Sequence, residues 1–192
     1  MRLLPLPDGG LRLRLDLDEA QLLDQLVGQL IGLLQSHSGT ALDPDPLFAS
    51  LEIGGSDSTP EDPALARLFP DAFEDAEDAS AFRRVTEQGL VNRKLQDALE
   101  VTSALGLGGG VQSHAEPPES ESAAVEVEVT AKTMPAWVRT LTALRLAIAA
   151  RLGLEQESDH ARLFADGESR STIMVYDWLA AILDSILRMS QP

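Results

Sequence analysis

Between Val125 and Leu152 the chain alternates and then changes period. Val125, Val127 and Val129 are separated by Glu126 and Glu128, the period of two that marks a strand with one buried face. From Pro135 to Leu152 the stretch PAWVRTLTALRLAIAARL carries three arginines and few other polar breaks. That predicts a helix, largely buried. The same form stands near the start, where Leu11, Leu13 and Leu15 alternate with Arg12 and Arg14. A helix to about Gln35 follows, with Leu22, Leu23, Leu26, Val27, Leu30, Leu33 and Leu34 as a broad apolar face. Asp16 and Glu19 have the spacing of a capping box, and Asp18 is the competing N-cap. Gly28 and Gly32 each cost helix propensity, roughly 1 kcal/mol against Ala, so a closely packed neighbouring helix is expected over them. Gly39 is the stop signal.

If the LRLRL and VEVEV segments pair, their apolar residues share one face and Arg12 and Arg14 lie across from Glu126 and Glu128 on the other. Two strands alone are marginal, so helices must cover the apolar face. The fold class expected is mainly α (α+β), a helical domain with a small two-stranded sheet formed by residues near 11–15 and 125–129. Asp62 and Pro63 open a short helix that Pro70 ends. A longer one, from Asp75 or Asp78 to Leu105, carries Phe82, Val85, Leu95, Leu99 and Leu105, with Gly89 as a place to kink. The last helix begins near Ser171 or Thr172, with Val175, Tyr176, Leu179, Ile182, Leu183, Ile186 and Leu187 as its apolar arc and Asp184 and Arg188 as an i, i+4 pair. Polar loops are expected at 36–63, with at most one helical turn at 47–51, at 106–124 and at 155–171. The 106–124 segment reads as a flexible linker, yet strand pairing across it makes residues 1–192 a single domain. Few aromatics are available, and the two tryptophans read as core anchors.

Charge narrows the function classes. The 192 residues hold 31 acidic and 15 basic side chains, a net charge of −16, which opposes direct contact with nucleic acid unless basic residues are strongly localised. No run of apolar residues reaches membrane-spanning length, and MRLLPLPDGG lacks the apolar core of a signal peptide. A cytoplasmic location without membrane contact is expected. With no cysteine, disulfides, thiolate metal sites and thiol redox chemistry are excluded within these residues.

No catalytic group, metal site or cofactor is predicted. His37, His114 and His160 stand far apart, GLGGG misses dinucleotide spacing, and no P-loop lysine follows it. Two constellations rise above the background. Arg83, Arg84, Arg93 and Lys94 place four of the fifteen basic residues on one helix. They either grip an acidic partner protein or a phosphate backbone, or are neutralised internally by Glu87 at i+4 and by Asp75, Glu77 and Asp78. Arg145 lies at the edge of the arc made by Trp137, Leu141, Leu144, Ile148 and Leu152, where an unpaired guanidinium is costly. Asp177 is its candidate partner in a structural ion pair.

Four blocks occurring in order carry a family resemblance: DPALARLFPDAF at 62–73, FRRVTE at 82–87, WVRTLTALRLAIAARLG at 137–153 and VYDWLAAIL at 175–183. Together they resemble an actinobacterial family catalogued as a domain of unknown function, often encoded near the Clp protease adaptor ClpS. One branch of that family is described as oxidative-stress-responsive transcriptional regulators acting with a sigma factor. The resemblance implies a non-enzymatic regulatory protein with a protein partner, either the transcription machinery or Clp components, and makes direct DNA binding the weaker expectation. An accessory factor of Clp proteolysis and an enzyme are the alternatives. The lack of cysteine departs from a thiol switch, so any stress input must be different. The apolar excess on the last two helices also suits a homodimer.

Overall fold

The computed structural model describes residues 1–6, 10–38, 58–107 and 124–189. Both alternating segments are strands, β2 at Leu11–Asp16 and β3 at Ala124–Val129. They pair antiparallel, with Arg12 opposite Glu128 and Arg14 opposite Glu126. Leu11, Leu13, Leu15, Val127 and Val129 turn inward and are buried. On the outer face an Arg12 Nη2 donates to Glu128 Oε1 at 2.7 Å, and Arg14 lies 3.9 Å from Glu126. Sequence alone did not expose a third strand, β1 at Arg2–Pro5, which pairs antiparallel with β2 and makes the order β1-β2-β3. RLLP has no alternation and ends in proline, which is tolerated at a sheet edge. Gly10 closes this hairpin: a Cβ there would meet the Val129 carbonyl oxygen at 2.9 Å.

Six helices are described: α1 Leu17–Ser38, α2 Pro63–Leu68, α3 Ala76–Leu105, α4 Met134–Leu152, α5 Glu157–Ala165 and α6 Arg170–Met189. Their ends follow local chemistry. The Asp16 backbone N–H donates to Glu19 at 3.1 Å, one half of the expected box. Asp62 caps α2 by accepting from the N–H groups of Ala64 and Leu65, and Asp75 caps α3 through those of Glu77 and Asp78. Gly106 and Gly153 stop α3 and α4 at φ of 68° and 64°, a left-handed conformation that a side chain would strain.

The sheet's apolar face packs into one buried cluster with α1, the C-terminal half of α3, α4 and α6, so residues on both sides of the 106–124 segment share it. Trp137 of α4 is fully buried within it, as a core anchor should be, while Trp178 of α6 is only partly buried against it.

Three expectations are corrected here. Among the described residues nothing lies within 4 Å of a Cβ placed at Gly28 or Gly32, and no helix of these residues packs closely on them. The segment 155–171 is not all loop. It contains α5, a short polar helix that buries only Leu163 and whose N-terminus is held by Asp159 accepting from the N–H groups of Glu155 and Gln156. Finally, α3 buries only Leu95 and Leu105 of the five apolar residues named for it. Phe82, Val85 and Leu99 are exposed, whereas Arg83 and Glu87 are buried. The turn at 47–51 and most of the 106–124 linker lie outside the described residues.

Candidate functional site

The unusual half of α3 follows from what it packs on. Its C-terminal half presents Val91, Leu95, Ala98, Val101 and Leu105 to the core, while its N-terminal half presents Ala79, Arg83 and Glu87 inward. Burying a guanidinium and a carboxylate demands partners, and three segments supply them: the end of α1, the chain at Thr59 and the 69–72 turn. Arg83 is only 6% exposed and bonds to Asp71; it also donates to the Phe69 carbonyl and to Thr59 Oγ1, each at 3.4 Å. Glu87 Oε1 sits 3.8 Å from Arg83 and 2.8 Å from His37 Nε2, at the end of α1. The His37 ring stacks on Phe69 at 5.6 Å, and Lys94 places its ammonium 5.7 Å from the same ring. Burial pushes the Lys94 pKa below its usual value, with Asp97 opposing the shift.

This geometry separates the four basic residues expected to act together. Arg83 and Lys94 are eleven residues apart, about three turns, and share the inward face. Arg84 and Arg93 are nine apart, about two and a half turns, and fall on opposite sides of the helix. Both are exposed. The four therefore form no common basic face. The i, i+4 relation of Arg83 to Glu87 is present, but Asp71 takes the guanidinium more closely than any of Asp75, Glu77 or Asp78.

Beside the buried ion network lies a pocket of about 220 Å³, lined by residues of α2's end, the 69–72 turn and α3. Arg83 and Glu87 contribute to its wall, and Phe82 and Leu90 line it from α3. Phe82 is met edge-to-face by Phe73 at 5.6 Å. All three apolar side chains are substantially exposed, at 50% for Phe73, 44% for Phe82 and 46% for Leu90.

Arg145 and Asp177 go to different partners. The Arg145 guanidinium lies over the Tyr176 ring at 4.4 Å, and Asp177 receives His160 Nε2 at 2.9 Å. Residue 176 sits next to 177 in sequence but about 100° around the helix, which is enough to replace a carboxylate with an aromatic face. A cation–π contact suits an arginine at the edge of an apolar arc. The strong interhelical ion pair that the sequence hid is Arg139 with Asp97, joining α4 to α3 through bonds of 2.6 and 2.7 Å. That bidentate bond raises the Arg139 pKa further.

Among the described residues no group of three or more His, Asp or Glu side chains could hold a metal ion, and no helix is long and apolar enough to cross a membrane. His37 and His160 each face a single carboxylate, and His114 lies outside the described residues. What the arrangement offers is a shaped apolar surface backed by a fixed polar network.

No solved structure matches this chain. A protein of Mycobacterium leprae with the provisional name oxidative stress regulator AosR is 28% identical over 184 residues, covering 88% of this chain and 77% of the relative. The family model described as Domain of unknown function (DUF2017) matches residues 1–190. The four sequence blocks and the fold they build are thus those of a DUF2017 protein, and the chain belongs to that family.

Proposed function

We propose that this protein is a non-enzymatic regulator that acts by binding another protein, with a component of the transcription machinery such as a sigma factor as its target. The observation that carries this is the exposed Phe73, Phe82 and Leu90 surface around the α3 pocket, because an apolar patch held on a rigid element is a means of contact rather than of chemistry. The regulatory name of the Mycobacterium leprae relative supports the same reading. A net charge of −16 favours reaching DNA through a partner over direct duplex binding. The signal cannot be a thiol switch within these residues, which contain no cysteine. A cytoplasmic place of action goes with this role.

Affinity capture from the native cell, scored for sigma factors against Clp components, tests the proposal. Enrichment of a sigma factor or RNA polymerase subunit is expected. Enrichment of Clp components alone would move the protein to accessory work in proteolysis, and recovery of neither would remove the reading.

A further inference from the structure

The N-terminal half of α3 has its amphipathicity reversed. Phe82, Thr86 and Leu90 follow one another at i, i+4 and i+8 along the pocket, a line of about 12 Å at 1.5 Å per residue. Val85, 79% exposed, stands one turn from Phe82. Isolated apolar residues on a surface need no explanation, but Phe82 and Leu90, which line one pocket, and Phe73, whose ring meets that of Phe82, form a group that does. We propose that this face is the docking site for a basic amphipathic helix of a partner protein, which inserts apolar side chains between Phe73, Phe82 and Leu90 and sets its cationic flank against the acidic segment beside them. The inference rests on the protein-binding reading above and names the surface and the chemistry of that contact.

Size and charge choose the occupant. The pocket's 220 Å³ falls below the range of about 300–1,000 Å³ usual for small molecules and cofactors, and suits individual side chains entering from a helix. Two turns of anchor positions on α3 match a helix laid into a groove. Between Asp71 and Asp78 the sequence DAFEDAED places five carboxylates around Phe73, all in exposed residues. Asp71 is engaged by Arg83 and Asp75 caps α3, leaving Glu74, Glu77 and Asp78 to meet a cation. A second copy of this chain would bring the same acidic rim and its own charge of −16 to a self-complementary contact, which like-charge repulsion opposes. Nucleic acid is opposed for the same reason. The buried Arg83, Glu87 and His37 network fixes the wall before binding, so little ordering remains to be done.

The test uses the full chain and a synthetic helical peptide of about four turns, leucine on one face and lysine on the other, with a leucine/glutamate peptide as control. Titration calorimetry should show binding of the lysine peptide and none of the control. Phe82→Ala with Leu90→Ala should weaken binding by about tenfold or more while the thermal midpoint stays close to that of the parent chain. Should that pair of changes impair folding, Phe73→Ala, outside the helix, gives the same readout. Glu74→Gln, Glu77→Gln and Asp78→Asn together should weaken binding and flatten its salt dependence. Lysine-peptide binding that survives the aromatic and leucine changes would mean attraction by charge alone and would overturn the proposal. So would equal binding of the control peptide, or self-association of the parent chain lost on Phe82→Ala. If a cellular partner is captured equally by the parent and the Phe82→Ala, Leu90→Ala chain, this surface fails while the regulatory reading stands. If the peptide binds as expected but no cellular partner is found, the surface stands and the regulatory reading fails.

Discussion

Arg139 and Asp97 bind each other, yet truncating them should not be equivalent. The Asp97 side chain is 9% exposed and the Arg139 side chain 48%, so Arg139→Ala strands a buried carboxylate at about 2 kcal/mol or more, whereas Asp97→Ala leaves a guanidinium that reaches water and costs about 1 kcal/mol. Urea unfolding of the two variants should show that order; equal losses would mean the carboxylate finds water. Within the α3 network the same logic makes Arg83→Met far more damaging than Arg84→Met, by about 3 kcal/mol against at most about 0.5. Lys94 runs the other way. Its folded pKa lies below the free value, so the folded chain binds fewer protons in alkali and stability should rise as pH climbs through that folded value. Lys94→Met should abolish the rise and leave the melting temperature unchanged or higher. Of these pairings only Arg83 with Glu87, at i, i+4 on one helix, was legible in a chain with 31 carboxylates, because sequence spacing reports neighbours along one helix, and Arg139 finds its acid on another helix, 42 positions away.

Helices and strands were more readable, and the reasons differ from one to the next. β2 and β3 announced themselves and their register, since alternating leucine or valine with opposite charges leaves one sensible face for each. β1 was silent because four residues, one a proline, carry no period. α5 was silent because its stability comes from Asp159 at its start and not from an apolar arc. That carboxylate is held below its ordinary pKa by the backbone N–H groups of Gln156 and Glu155, with Arg162 adding to the effect. The depressed value places its contribution above the unfolded pKa and removes it as pH falls through the folded one. Protection of the amides at the start of α5, relative to their intrinsic exchange rates, should therefore fall in acid before the core opens, and protection at residues 155–160 that stays level with the core would contradict this. On α1, Gly28→Ala and Gly32→Ala should each stabilise by about 1 kcal/mol, because an added methyl meets nothing among the described residues. α3 misled the periodic reading for a physical reason. Phe82 and Val85 are apolar yet exposed because the N-terminal half of the helix buries charges that pair with three other segments, and the pattern of apolar residues alone could not register that exchange.

At the scale of the molecule, acidity and contact share one address. The outer face of the sheet neutralises itself through Arg12 with Glu128 and Arg14 with Glu126, while the 71–78 segment concentrates carboxylates beside exposed aromatic rings. The central strand has a further consequence, one of time. Arg12 and Glu128 are 116 positions apart, so the sheet cannot close until most of the polypeptide has left the ribosome. Closing a loop of that length costs only a little more entropy than a shorter one, but such distant pairing makes folding slow. Until then Leu11, Leu13 and Leu15 have no β3 beside them and no α4 to cover them. A fragment of residues 1–107 should accordingly melt without cooperativity and bind hydrophobic dyes, and a sharp thermal transition in that fragment would show that the first half folds alone. For a nascent chain the interval is a hazard, because β1 can cover only one edge of β2 and the other is a template for any strand within reach, and the cell that makes this protein has to guard it through that wait.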